Sequence, residues 1–276
     1  MPRLLLTSLL VLGATLLVAQ QPGTTSPKSA TNGLPAGALP YDPAKVTAAI
    51  RDSYYHPDEM HGLDCAISVD WRAFFSALKL NPAADRLKAI QNLKIRSQAV
   101  REKKPEVTFE WAGGSLDTKE QLENGLKETL DGFYQVYWSM VASSPIGSAA
   151  DLVKIEPLPD GGVKAYFSSQ NANLVISTDK DRTPTHFTMD SPAMNGTIDL
   201  HYVSSPKPVP GDLRRISSMD LTEQIGNSTI NAKLSLDYQA VGGFYIPRHV
   251  SYNVGGALPL SMDFSGCSVS KGATAH

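Results

Sequence analysis

Cysteine is nearly absent from this 276-residue chain, which has two, Cys65 and Cys267. That excludes a disulfide-dense mini-fold and a cysteine-built metal cluster. An excess of either charge is also missing. Lys and Arg number 25 against 27 Asp and Glu, a formal net charge of −2, and no basic block is present to follow a phosphate backbone. Nucleic acid is therefore not an expected partner. The chain has no apolar run of bilayer length either, since its longest, Leu4 to Ala19, covers about 16 residues where a span needs roughly 20.

Catalytic motifs are missing as well. There is no G-x-S-x-G elbow and no local Cys-His signature. Ser204 to Lys207 and Ser268 to Lys271 match S-x-x-K, but that chemistry needs the serine at a helix start. Here one lies in a Pro-rich loop and the other in what reads as a C-terminal tail. His56 and His61 flank two carboxylates in HPDEMH, yet Pro57 prevents the helix that would pair them on a metal, so a polar loop is expected. His186, His201 and His249 fall in strand-like runs, and sequence pairs none of them. The Asp and Glu residues are spread over polar strand faces, where an acid/base pair cannot be told from solvated charge. No cofactor or metal site is expected.

What is present begins with MPRLLLTSLLVLGATLLVAQQ, where Arg3 precedes the apolar run as in a secretory signal peptide over residues 1–20. The alternative is an uncleaved anchor. Removal would leave no stable membrane span. Residues 21–40 are rich in Pro, Gly, Ser, Thr and Ala and have too few apolar side chains to offset their ordering entropy, the mark of a flexible tether. Residues 41–270 are expected to form a single domain, with 271–276 as a disordered tail. Two N-x-T sequons, Asn195 and Asn227, would matter only in a eukaryotic secretory pathway.

Within the domain, Asp42 and Pro43 open an amphipathic helix running to Pro57 through Val46, Ala49, Ile50 and Tyr54. GLDCAISVDW then alternates Leu63, Cys65, Ile67, Val69 and Trp71 against polar neighbours, a strand with one buried face. Trp71, Phe74, Phe75 and Leu78 change to helical spacing, and a further helix starts at Asn81 and Pro82 and carries Leu87 and Ile90. A hairpin follows through Val107, Phe109 and Trp111, closed by Gly113 and Gly114. Next comes one long helix from Asp117 to Val141, whose last turns are apolar nearly all round. Such a helix is buried on two faces or walls a cavity. From Pro145 onward, eight or more short strands separated by turn signals, Gly242–Gly243 and Gly255–Gly256 among them, indicate an antiparallel sheet and an α+β class.

The cysteines test this layout. Export favours a Cys65–Cys267 disulfide over two buried free thiols. Strict alternation from Leu260, Met262 and Phe264 turns Cys267 outward, but a bulge at Gly266 would add one residue and bring it to the apolar face. The bridge would make the first and last strands neighbours.

KKPEVTFEW at Lys103 to Trp111, the meander from VKIEP to NGTIDLHYVSS, and GGFYIPRHVSYNV followed by LPLSMDFSGCSV resemble the LolA-like periplasmic lipoprotein-carrier superfamily. The likeness extends over about residues 43–270 as an order of elements. It implies a curved antiparallel half-barrel with helices covering its concave face, and a periplasmic or secreted location. The helical segment Arg72 to Asn92 replaces a short turn of that family, and its aromatic-Tyr-Asp segment is missing. The expected function is non-enzymatic binding of an acyl chain or other apolar ligand between sheet and helix. Phe133, Tyr134, Tyr137 and Trp138 would line the site, and the partner would be a lipid or a lipidated protein. Alternatively these aromatics fill the core and the protein is an envelope interaction module. A hydrolase has the least support.

Overall fold

The structure is a computed structural model that describes residues 41–77, 79, 84–112, 119–169, 172–191, 195–203, 213–225, 228–255 and 260–272. The expected signal peptide and tether lie outside these residues. So do Asn81 and Pro82, the Gly113–Gly114 turn, Asp117, the PKPVPGD loop, Asn227, Gly256 and residues 273–276.

In chain order the helices are α1 (Pro43–Arg51), α2 (Trp71–Ala77), α3 (Ala84–Gln91) and α4 (Lys119–Val136). The strands are β1 (Met60–Val69), β2 (Lys94–Val100), β3 (Glu106–Glu110), β4 (Leu152–Pro157), β5 (Val163–Ser168), β6 (Asn173–Thr178) and β7 (Pro184–Asp190). They continue with β8 (Asn195–Val203), β9 (Arg215–Ile225), β10 (Ser228–Val241), β11 (Phe244–Val254) and β12 (Leu260–Lys271). All twelve form one open antiparallel sheet in the order β3-β2-β1-β12-β11-β10-β9-β8-β7-β6-β5-β4. A plain meander therefore runs from β4 to β12, and the first three strands are added beyond the last. The two edges, β3 and β4, are consecutive strands in the chain, and α4 is the connection between them.

Period-2 alternation turns each strand's apolar set to the same face. Cross-strand pairing then lines these residues up into rows. One row, Ile155, Ala165, Ile176, Phe187, Ile198, Leu221, Ala232 and Val254, crosses eight strands, and all of its members are buried. A second runs Phe264, Ile67, Ile95 and Phe109 across β12, β1, β2 and β3. Full burial of each large side chain contributes roughly 1.5–3 kcal/mol, so this face carries most of the driving force for folding.

β1 and β12 pair antiparallel, and their register slips between Asp64 and Ala66. Gly266 takes a φ of 55° there, the left-handed geometry a glycine-led bulge requires. The extra residue brings Cys267 beside the buried Cys65 at a Cα–Cα distance of 4.2 Å, and a disulfide joins them across 202 residues of sequence. At the β10–β11 turn Gly242 and Gly243 both have positive φ (60° and 85°), as a two-residue hairpin demands.

Three expectations need correction. The first helix ends at Arg51 rather than Pro57, because Tyr54 forms a parallel bridge with Arg214 and the Tyr55 N–H donates to the Arg214 carbonyl at 2.8 Å. Ser268 and Lys271 belong to β12, not to a tail, and Gly272 N–H still donates to Glu59 O at 3.1 Å. The long helix is also not uniform. It is α-helical to Val136 and then π-helical over Tyr137–Val141, where Ala142 N–H reaches back five residues to Tyr137 O at 2.8 Å.

Candidate functional site

Where α4 meets the sheet, its position is set by polar pins at the start and aromatic packing further along. Trp111, just past β3, donates its indole N–H to Glu123 at 2.7 Å, and the Lys104 ammonium lies 3.5 Å from Asp131. Two residues after Asp131, Phe133 packs on Phe264 of β12 with ring centroids 5.5 Å apart, and it stacks on Tyr137 at 5.7 Å. Tyr134 shares a 2.5 Å hydrogen bond with Ser97 of β2, in the fully buried layer. Burial raises the Tyr134 pKa, and the Ser97 contact only partly opposes that. Phe133, Tyr134, Tyr137 and Trp138 are thus brought together, all under 8% exposed, between the helix and the apolar face.

The π-helical turn sets the local chemistry. A π turn is tolerated where surrounding contacts hold it and is frequent at functional positions. Ser143 donates its hydroxyl to the Trp138 carbonyl, and Ser139 donates to Gln135 O at 2.7 Å. Arg101, at the end of β2, clamps the exit of the turn: one Nη donates to Ala142 O at 3.0 Å, and the guanidinium lies 5.7 Å from the Trp138 ring centroid. Three donors in this group, Tyr137 Oη, Trp138 Nε1 and Arg101 Nε, make no hydrogen bond to protein. Burial holds the Tyr137 hydroxyl far above the usual phenol range, with Tyr238, Tyr55 and Tyr134 reinforcing the shift and Arg101 opposing it.

Ser139 and Met140 of the same turn line a groove of ≈ 150 Å³ against Phe167, Leu174 and Met189 of β5, β6 and β7. Sequence reasoning missed Arg101 and these strand residues. The alternation of VKAYFSS and THFTMD marks Phe167 and Met189 as strand residues, but it carries no sign of the helix turn they face.

His186, His201 and His249 occupy the opposite, polar face, whereas His56 lies before β1 and packs against the buried Tyr54 ring at 5.1 Å. His249 Nδ1 lies 2.6 Å from Asp263 and its Nε2 lies 3.2 Å from Ser261 Oγ. His186 repeats the form with Asp199 at 2.6 Å and Thr188 at 3.2 Å. Nucleophile, base and orienting carboxylate are all within reach, as acyl transfer requires. The setting does not suit that chemistry. Asp263 sits in mid-ladder opposite both His249 and Ser68, so neighbouring N–H groups serve strand pairing, and its side chain is 66% exposed. Both arrays follow from sheet register, as does the His201–Asp220–Lys233 group. In that group burial pushes the Asp220 pKa up, but the hydrogen bonds from Lys233 and His201 outweigh it and hold the carboxyl below its usual range.

Among the described residues no cluster of three or more His, Cys, Asp or Glu is placed to hold a metal. Among them, too, no helix is long and apolar enough to cross a membrane. Comparison of the chain with protein-family models, curated proteins and solved structures finds no match.

Proposed function

We propose that this protein is exported and binds an acyl chain or a comparable apolar ligand between the apolar face of its sheet and α4 with its π turn. In this reading the sheet is curved, and the helix covers its concave side. The observation that carries the reading is the groove at the π turn, where Met140 and Met189 sit beside Phe167 and Leu174 at the border of the continuous apolar face. Ligand pockets for drug-sized molecules usually exceed about 300 Å³, so a chain must widen this groove. Methionine suits that task, because its unbranched thioether repacks at low cost.

Export accounts for the Cys65–Cys267 pairing and for the leader-like first twenty residues. The resemblance of KKPEVTFEW and the meander to lipoprotein carriers points the same way. Pairing with a partner through the sheet edges is disfavoured. β3 is five residues long and bears Glu106 and Glu110, while β4 has a register shift and ends at Pro157, features that discourage strand addition.

The test is to purify the mature protein and analyse a solvent extract by mass spectrometry, then titrate the delipidated protein with fatty acid while following tryptophan fluorescence. Co-purified lipid and a saturable fluorescence change are expected. An empty extract together with an unchanged spectrum would overturn the reading.

A further inference from the structure

Of the unpartnered buried polar atoms around the π turn, Gln135 Oε1 is an acceptor and the other three share the opposite character. Tyr137 Oη–H, Trp138 Nε1–H and Arg101 Nε–H are all donors, and one carries a full positive charge. They lie close together: the Tyr137 and Trp138 ring centroids are 5.4 Å apart, and the Arg101 guanidinium is 5.7 Å from the Trp138 ring. Tyr137 is fully buried and Trp138 is 7% exposed. Nearby tyrosines bond elsewhere, Tyr134 with Ser97 and Tyr238 to the Ile216 carbonyl, and neither is bonded to the Tyr137 hydroxyl. A buried donor without an acceptor is destabilising, and three in one neighbourhood define a complementary ligand that brings acceptor atoms and negative charge. A single charge fits better than two, because one of these three donors is a cation and every further buried charge adds desolvation cost.

We propose that the polar end of the ligand is an acyl carboxylate, received by Arg101, Tyr137 and Trp138, so that the protein selects free fatty acids over uncharged lipids of the same chain length. The inference rests on the apolar-ligand reading above and adds the identity of the headgroup. The carboxylate accepts from the guanidinium Nε, the phenol and the indole in a site screened from water. There, charge-assisted hydrogen bonds are strongest.

The experiment is calorimetric titration of the delipidated protein with palmitic acid, palmityl alcohol and methyl palmitate at neutral pH. The acid is expected to bind roughly tenfold or more tightly than the alcohol or the ester, as expected for hydrogen bonds to a charged group. Tyr137→Phe removes one donor and no existing hydrogen bond, so it should fold normally and reduce the preference for the acid over the alcohol. Arg101→Gln should abolish the preference; because Arg101 also ties Ala142, its fold is checked by circular dichroism. Equal binding of all three probes would overturn the carboxylate assignment and leave the apolar-ligand reading standing. Binding of none would overturn both, and an acid preference unaffected in Tyr137→Phe and in a folded Arg101→Gln would place the headgroup elsewhere and overturn this site.

Discussion

The two faces of the sheet are built from the same strands and differ in what holds them. On the inner face, buried side chains form rows that cross as many as eight strands, so each contact supports the next. The outer face carries local pairs such as Arg248 with Asp237, His249 with Asp263, and Lys233 with Asp220, which are open to water and screened by salt. Alternation thus separates a cooperative layer from a set of nearly independent pairs. Inner-face changes should propagate across the sheet, and outer-face changes should stay local.

The largest expected effect comes from breaking a row at its centre. Phe187, 1% exposed between Ile176 and Ile198, replaced by Ala should lower stability by about 3–5 kcal/mol in urea denaturation, through lost burial and the cavity left behind. A loss below about 1 kcal/mol would mean that the row is not a tightly packed layer. Next is the seam between β1 and β12. Replacing both cysteines with Ala should cost about 2–5 kcal/mol, because the bridge closes 202 residues of sequence. An unchanged urea midpoint, measured against wild type kept oxidised, would show that the seam is held by pairing alone.

Alkali tests the inner layer in a different way. Burial is the leading cause of raised pKa values at Tyr54, Tyr134, Tyr137, Tyr202, Tyr238 and Tyr252. The folded protein keeps protons that the unfolded chain releases near pH ~10, so stability is full below about pH 10 and falls as pH rises through the folded values. Tyrosinate absorbance should therefore rise in two stages, a small one from exposed rings and a larger one coincident with loss of ellipticity. A single reversible stage near pH ~10 with the fold intact would show that these rings are accessible to water. The smallest effect belongs to the outer face. His249→Ala, which removes an exposed pair with Asp263, should change stability by less than about 1 kcal/mol, and high salt should reduce the difference further.

Much of the sheet is legible in the sequence because alternation of period 2 is a local signal. The placement of β1 beside β12 is not local, but Cys65 and Cys267 with Gly266 between the strand faces revealed it, since a disulfide requires both contact and a register change. Other features depended on positions that sequence spacing does not relate. Arg214 grips Asp179 and Asp181 from more than 30 residues away, and the His–Asp pairs arise from cross-strand register. The π turn was hidden for a different reason. YWSMV is apolar nearly all round, so a period near 3.6 fits it as well as a wider one, and the five-residue hydrogen bond from Ala142 leaves no mark in composition. The four aromatic residues were readable as a group, but their partner Arg101 was not.

Site-directed quenching tests the ligand reading most directly. With Trp71 and Trp111 replaced by Phe, Trp138 is the remaining tryptophan, in the same π turn as the groove residues Ser139 and Met140. Titration with a fatty acid brominated along its chain should quench Trp138 fluorescence saturably, and an excess of the unbrominated acid should restore it. Unquenched Trp138 emission at saturating brominated acid, from protein shown by circular dichroism to be folded, would contradict an acyl site between the sheet and this helix.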